Sequence, residues 1–319
     1  MSKQKIVIAV LGSGRVVELL TQRIGKRADL TLASVSAADA EPPTETDCVL
    51  YLPAINELAA GNAATRIVGL LRAGFDVVST VPAVALAGVD LLGACREGSS
   101  TFHGTGGFQS SLITRFNRAF ASITRNVRSV ELIEELDVDE LPAHPWASSA
   151  DLGVESKDIK TITARAADIE GYYDAGLRTL SEAVFGNEQP DASVEFSASR
   201  GRSDDGKKRA RKGNKEEVEH VLVSRSLGTS VAYDSVWTKR QGSSVPLRYR
   251  LGTTSADAVG HVTICFHDEG EGHPADHLTC VGLLDAVRPV YEGAPGILRN
   301  DLEINHVKTD DRLAHSQFS

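Results

Sequence analysis

Gly12-Ser13-Gly14 is the stretch of this sequence whose chemistry is easiest to name. Two glycines one residue apart permit a tight turn and a close backbone approach to a pyrophosphate, when a buried strand precedes them and a helix follows. Arg15 and Val16 carry that loop into the first helical turn, and Val17 stands where a full G-x-G-x-x-G fingerprint has its third glycine. A branched side chain there is expected to push the helix away from the strand. Two readings stay open at this point: a working dinucleotide loop, or a unit of the same shape that no longer binds a nucleotide.

Cofactor choice is read about twenty residues further on, where an acidic side chain would hold ribose hydroxyls and an arginine a 2′-phosphate. Here Ala33-Ser34-Val35-Ser36 ends the second strand. Ser34 permits NADP without demanding it, and Arg15 is placed to reach a 2′-phosphate, although an exposed helix arginine explains it equally well. Pro53 and Thr80 lie at the ends of two further strands. Thr101-Phe102-His103-Gly104-Thr105-Gly106-Gly107-Phe108 also lies between a strand and a helix, so His103, Gly104 and Thr105 fall at the carboxyl edge of the sheet, where open α/β sheets bind ligands. His103 titrates near neutrality and is a candidate proton carrier; a packed histidine bonded to backbone is the alternative.

A second group of polar residues follows. Glu134, Glu135, Asp137, Asp139 and Glu140 crowd a strand end ahead of Trp146, and Tyr172-Tyr173-Asp174 opens a helix. Asp137 and Tyr173 are candidates for acid or base work, Trp146 and Asp174 for substrate contact, while a solvated acidic edge accounts for most of the carboxylates. Arg200, Arg202, Lys207, Lys208, Arg209, Arg211, Lys212 and Lys215 read as a solvated hairpin loop, or as a grip for a phosphate or acidic partner.

The elements that must position these residues fall into two kinds. Ile6 to Leu11 is a short, β-branched run suited to a parallel strand, Val16 to Ile24 has helical spacing, and Leu30 to Val35 completes a βαβ unit, a Rossmann opening. Ser36 to Asp47 has no helical period, so the next crossover lacks its helix. Asp47 to Pro53, Asp76 to Val81 and Ser100 to His103 are further strands; Ile67 to Leu71 and Val84 to Arg96 are helices. Beyond a helix through Leu112, Phe116, Phe120 and Ile123, period-two alternation takes over: Val130, Leu132, Glu134, Leu136; Val194, Phe196, Ala198; Val231, Tyr233, Trp237; Val245 to Leu251; Val262, Ile264, Phe266. The spacing therefore predicts an α/β protein with an N-terminal Rossmann-type parallel sheet and a second α+β domain on an antiparallel sheet. Residues 1–125 form the dinucleotide-binding domain, 126–276 the substrate and dimerisation domain, and 277–319 a C-terminal helix and tail returning to the first.

Composition narrows the classes. A chain of 319 residues with 41% hydrophobic and 24% charged residues is globular, and a net charge of −9 argues against nucleic acid or an anionic membrane as partner. Cys48, Cys95, Cys265 and Cys280 have no metal-ligand or disulfide spacing, which fits a reducing cytoplasm. The apolar run at Ile6 is too short for a signal peptide or a membrane span.

The order of motifs resembles the dihydrodipicolinate reductase-like oxidoreductases, in particular the branch of 2,4-diaminopentanoate dehydrogenase and the native amine dehydrogenases. Val77-Val78-Ser79-Thr80 is similar to that branch's strand before its catalytic loop, and Gly104-Thr105-Gly106-Gly107-Phe108 to a shortened G-T-G-x-x-P-G-F turn. Asp174-Ala175-Gly176-Leu177 sits where the branch has H-x-G-L, and Asp276-His277-Leu278-Thr279 and Ala294-Pro295-Gly296 match its C-terminal helix entry and stop. The resemblance implies NADP or NAD, a small-molecule substrate, a homodimer, and hydride transfer at a carbon bonded to nitrogen or, more broadly, at a carbonyl. Four departures bear on function: no third glycine, a shortened second crossover, no lysine-and-histidine motif, and Val81-Pro82-Ala83-Val84 where the branch carries its acidic residue. A catalytically silent binding or scaffold protein with the same fold is the competing expectation.

Overall fold

The computed structural model describes residues 5–54, 61–86, 88–106, 123–137, 194–204, 217–228, 230–238, 247–267 and 274–298, with helical positions at 116, 120, 160 and within 173–185. Two six-stranded sheets organise them.

The first sheet is parallel throughout. Its strands are β1 (Ile6–Gly12), β2 (Leu30–Ser36), β3 (Cys48–Leu52), β4 (Asp76–Ser79), β5 (Thr101–Gly104) and β12 (Gly296–Ile297), in the order β12-β5-β4-β3-β1-β2. Continuous apolar runs such as Ile-Val-Ile-Ala-Val-Leu are buried on both faces, as a parallel sheet under two layers of helix requires. On one face lie α1 (Arg15–Gly25) and α4 (Pro274–Tyr291); on the other lie α2 (Asn62–Arg72) and α3 (Leu91–Gly98). The chain from β2 to β3 has no helix. Instead Arg66 of α2 holds that connection, pairing with Glu41 at 2.8 Å and donating to the Ala40 carbonyl, while Asp47 accepts the Val7 N–H at 2.8 Å.

The long helix expected over Val84 to Arg96 is a 3-10 turn at Ala83–Leu86 followed by α3. Gly88 at φ 90° breaks the run, and Asp90 restarts it by accepting the Gly93 N–H at 2.8 Å.

The second sheet runs β11-β10-β6-β9-β8-β7, with β6 (Ser129–Asp137), β7 (Val194–Asp204), β8 (Glu217–Leu227), β9 (Val231–Thr238), β10 (Leu247–Thr254) and β11 (Val259–Phe266). It is mixed rather than wholly antiparallel, because β6 and β9 pair in parallel. Alternation along each strand survives this, since one face packs whatever the direction of the neighbour. Leu132, Leu136, Tyr233, Trp237, Leu247, Tyr249 and Leu251 form that face, and Leu177 and Leu180 of a helical segment cover it. Arg200 and Arg202, read from the sequence as loop, belong to β7, opposite Val221 and Glu219. The remaining basic positions of that segment lie outside the described residues.

Candidate functional site

In a parallel sheet every strand ends on the same edge. Here one row of the ladder, Ser36-Leu11-Tyr51-Ser79-Gly104, marks it. The expected cofactor residues Gly12, Ser34, Pro53, Thr80, Gly104 and Thr105 lie within two residues of that row, so the fold brings them to one edge from five strands.

Gly12 (φ 149°) ends β1 against β3: a Cβ there would meet the Leu52 carbonyl oxygen at 2.6 Å. Gly14, at φ 93°, would project a Cβ into open space, with nothing within 4 Å. Ser13, Gly14 and Arg15 are exposed, and the Gly14 carbonyl accepts the N–H groups of Val17 and Glu18 at 3.1 and 3.3 Å. The N–H groups of Arg15 and Val16 precede that first turn, which is where a helix N-terminus receives an anion. Val17 does not spoil this. It is 5% exposed and belongs to the buried cluster that also holds Val10, Val78, Cys280 and Leu284, in which α1 packs against α4. Burial of such a side chain stabilises the seat by about 1.5 kcal/mol or more. The Cys280 thiol, donating to the Val16 carbonyl at 3.4 Å, is pushed up to about 12 by burial and behaves as an apolar filler.

At the end of β2 the Ser34 hydroxyl is buried with no hydrogen-bond partner among the described residues. Arg15 pairs with Glu18 at 2.9 Å in an exposed contact that a phosphate would readily replace. The residues present therefore fit the phosphate end of a dinucleotide: an open glycine turn and a helix N-terminus.

Further along the edge the backbone is tightly drawn together. The Ser79 hydroxyl donates to the Tyr51 carbonyl at 2.8 Å and accepts from the Val81 N–H at 3.1 Å, and the Ser79 carbonyl accepts both the N–H and the hydroxyl of Thr105 at 2.8 and 3.1 Å. Gly104 is obligatory, because a Cβ would lie 2.2 Å from the Val81 carbonyl oxygen. His103 is 6% exposed, and its Nδ1 lies 2.9 Å from the Leu298 carbonyl oxygen beyond β12. A carbonyl only accepts, so Nδ1 carries the proton and Nε2 the lone pair. Burial lowers the pKa of His103 below its ordinary value, which keeps the ring neutral.

The second group of expected residues is not gathered at this edge. Tyr173 is 2% exposed, and its hydroxyl donates to Glu134 at 3.1 Å inside the packed face of the second sheet. Its hydroxyl therefore faces the Glu134 carboxyl group rather than the carboxyl edge of the first sheet. Glu134 is itself a correction to the solvated acidic edge: 1% exposed, it accepts from Tyr173, Tyr233 and Tyr249, with Ser235 at 3.4 Å. Arg225, also buried, donates to Ser235 at 3.1 Å and stacks 3.7 Å over the Tyr173 ring. The signal for Glu134 was its parity with Leu132 and Leu136. Asp174 pairs with Arg178 at 3.0 Å. Asp137 ends β6, opposite Thr238. The side chain of Asp137 and all of Trp146 lie outside the described residues. Among the described residues no group of His, Cys, Asp and Glu side chains is arranged to hold a metal ion, and no helix is long and apolar enough to cross a membrane.

No protein-family model matches the chain, and no curated protein matches its sequence. Its fold, a parallel six-stranded sheet and a mixed six-stranded sheet, is shared with solved structures of dehydrogenases. The structure is similar to an amine dehydrogenase from Mycobacterium smegmatis, with a TM-score of 0.60 and 10% identity over 93% of this chain and 95% of that one. It is also similar to a probable dehydrogenase from Thermotoga maritima, with a TM-score of 0.51 and 12% identity over 91% and 90%. A dipicolinate-bound dihydrodipicolinate reductase from Paenisporosarcina aligns over 92% and 97% at 10% identity and a TM-score of 0.48. At these identities the likeness is one of fold.

Proposed function

We propose that the chain is an NAD(P)H-dependent oxidoreductase acting on a C=N or C=O centre of a small metabolite, with NADPH favoured over NADH. The observation that carries this reading is the Gly12-Ser13-Gly14 turn, open to solvent above Gly14 and followed at once by α1, in a fold shared with an amine dehydrogenase. Gly12, Ser13, Gly14, Arg15 and Val16 hold the pyrophosphate. Ser34 meets the ribose, and Arg15, released from Glu18, meets a 2′-phosphate, there being no carboxylate at the end of β2 to repel one. Pro53, Thr80, Gly104 and Thr105 line the path to the reacting end. The bound nicotinamide supplies the hydride chemistry. Asp137, Trp146 and Asp174 are assigned to the substrate side.

His103 is the proton carrier in this reading. Its neutral ring, fixed by Leu298, suits accepting a proton through Nε2 as an amine or alcohol is oxidised better than giving one up during reduction.

One observation favours a second reading, a binding protein without turnover. Val81 is fully buried where the resembled branch has its acidic residue, and its carbonyl packs on Gly104, so a carboxylate cannot be recruited at that position without rebuilding the loop.

Titration of the purified chain with NADPH and NADH, followed by nucleotide fluorescence and melting temperature, tests both. Binding at micromolar concentration, with NADPH the tighter, and NADPH consumption with a panel of imines and ketones are the results expected of the enzyme. Binding without consumption favours the second reading, and no binding of either nucleotide overturns both.

A further inference from the structure

The connection from β2 to β3 departs furthest from a complete βαβ repeat, because residues 37–47 carry no helix. A strand end without its helix lacks the orphan N–H groups that a helix N-terminus offers a ligand. A guanidinium from another element stands there instead. β2 ends at Ser36, and the chain turns at once, the Ala40 N–H donating to the Ala37 carbonyl at 3.0 Å. Arg66, just past the first turn of α2, reaches across to this turn. It donates to the Ala40 carbonyl and pairs with Glu41 at 2.8 Å. Because β3 and β4 both run toward the ligand edge, α2 must carry the chain back from it, so its first turns lie nearest that edge.

The guanidinium is only partly used by these contacts. Its Nε is buried and has no hydrogen-bond partner among the described residues. Glu41 is 77% exposed against 20% for Arg66, so the pair is well hydrated on the carboxylate's side and easily exchanged. An arginine presents a planar fork of five N–H donors matched to phosphate oxygens, and a dianionic phosphate holds that fork more strongly than a solvated carboxylate does.

We propose that Arg66 is a specificity-determining residue that receives the 2′-phosphate of NADP, with Glu41 as the partner that occupies it until the nucleotide arrives. The inference rests on the reading of the chain as a nicotinamide-dependent oxidoreductase. In βαβ dinucleotide units the adenosine ribose is met at the end of the second strand, by a carboxylate for NAD or beside an arginine for NADP. Leu30–Ser36 contains no carboxylate, and the arginine comes from α2, an element that follows the third strand. Arg15 and Arg66 belong to helices on opposite faces of the sheet, α1 on one and α2 on the other. Each is paired with an exposed carboxylate, Glu18 or Glu41, that a phosphate displaces. Asp39, the other carboxylate of the turn, is exposed, where water and salt weaken its repulsion.

Paired titrations with NADPH and NADH at low salt, read by nucleotide fluorescence, test this on the native chain and two variants. Arg66→Gln keeps an N–H for the Ala40 carbonyl and is expected to weaken NADPH at least about tenfold while NADH changes by less than about twofold. Glu41→Gln removes the competing carboxylate at the surface and is expected to tighten NADPH about twofold to fivefold with NADH unchanged. The probe 2′,5′-ADP is expected to compete better than 5′-AMP against the native chain and to lose that advantage in Arg66→Gln. If Arg66 only ties α2 to the connection, its loss lowers the melting temperature and weakens both nucleotides alike. An NADPH-to-NADH preference that either variant leaves unchanged, or a native chain that binds NADH as tightly as NADPH, would overturn the inference and leave the oxidoreductase reading standing. A native chain that binds neither nucleotide removes that reading, and the inference with it.

Discussion

The Tyr249 hydroxyl meets the Glu134 carboxylate at 2.5 Å across the register pair that joins β6 to β10. Tyr233 and Tyr173 reach the same carboxylate from β9 and from the covering helical segment, and Arg225 is linked to it through Ser235 from β8. One buried carboxyl group therefore ties four strands and a helix together. Glu134→Ala leaves the Tyr173, Tyr233 and Tyr249 hydroxyls without their common acceptor, and is expected to cost about 3 kcal/mol or more in urea denaturation. Glu134→Gln keeps one acceptor oxygen and is expected to cost about 1–2 kcal/mol. Its neighbour Glu135 contacts two arginines, Arg248 at 3.0 Å and Arg250 at 2.8 Å, yet faces solvent on the other side of the sheet. Glu135→Gln is expected to change stability by less than about 1 kcal/mol. Equal costs at the two positions would show that Glu134 is not the centre of the network.

Asp76 offers a test with the opposite electrostatic logic. Burial raises its carboxyl to about 6, although the Thr101 N–H at 2.7 Å holds it down in part. The folded state then binds a proton more tightly than the unfolded chain, so the stability it contributes is present below about pH 4 and is lost as the pH rises through about 6. A shift of about two units corresponds to about 3 kcal/mol, which partial solvent access reduces to about 1 kcal/mol. Asp76→Asn keeps the acceptor for Thr101. It is expected to raise the melting temperature at pH 7.5 by a few degrees and to leave it unchanged at pH 4.

The two glycines of the turn separate folding from binding. Gly12→Ala drives a methyl group to 2.6 Å from the Leu52 carbonyl oxygen and is expected to lower stability by more than about 2 kcal/mol along with nucleotide affinity. Gly14→Ala meets no atom, so its stability cost is that of holding alanine at φ 93° and ψ −173°, a region almost confined to glycine, about 1–3 kcal/mol. Its methyl group stands where the pyrophosphate would approach, and NADPH affinity is expected to fall about tenfold or more. Unchanged affinity in Gly14→Ala would remove this turn from the cofactor site.

The parallel sheet was legible because its strands are buried on both faces and say so in unbroken apolar runs, and the missing crossover helix showed as Ser36 to Asp47 without a period. The sequence was less informative where partners come from afar. Val17 looked like damage to a glycine motif, since nothing local reveals that α4, more than 250 residues on, packs against α1. Glu134 looked like one of a solvated crowd, because a charge at an inward position is legible by parity while its three tyrosines lie on other elements. The direction of β9 relative to β6 left no local trace, since alternation is the same in parallel and antiparallel pairs.

His103 carries a pH signature that opposes that of Asp76. Its folded pKa lies below 6.5, because burial disfavours the imidazolium while Leu298 holds the Nδ1 proton. Between the two values the unfolded chain binds a proton that the folded chain refuses, so the stability contributed by neutral His103 is present above about pH 6.5 and is lost as the pH falls. With Asp76→Asn as background, the melting temperature is expected to decline as the pH falls from 7.5 to 5, and His103→Gln to flatten that decline. Glutamine keeps an N–H for the Leu298 carbonyl, so the β12 contact need not be lost with the titration. If His103 is the proton acceptor of an oxidation, kcat/KM for that direction should fall with pH over the same range in the background variant and collapse by about a hundredfold in the glutamine variant. A flattened melting profile with unchanged turnover would make His103 a tie between β5 and the C-terminal segment, and the proton carrier would then have to come from the substrate side.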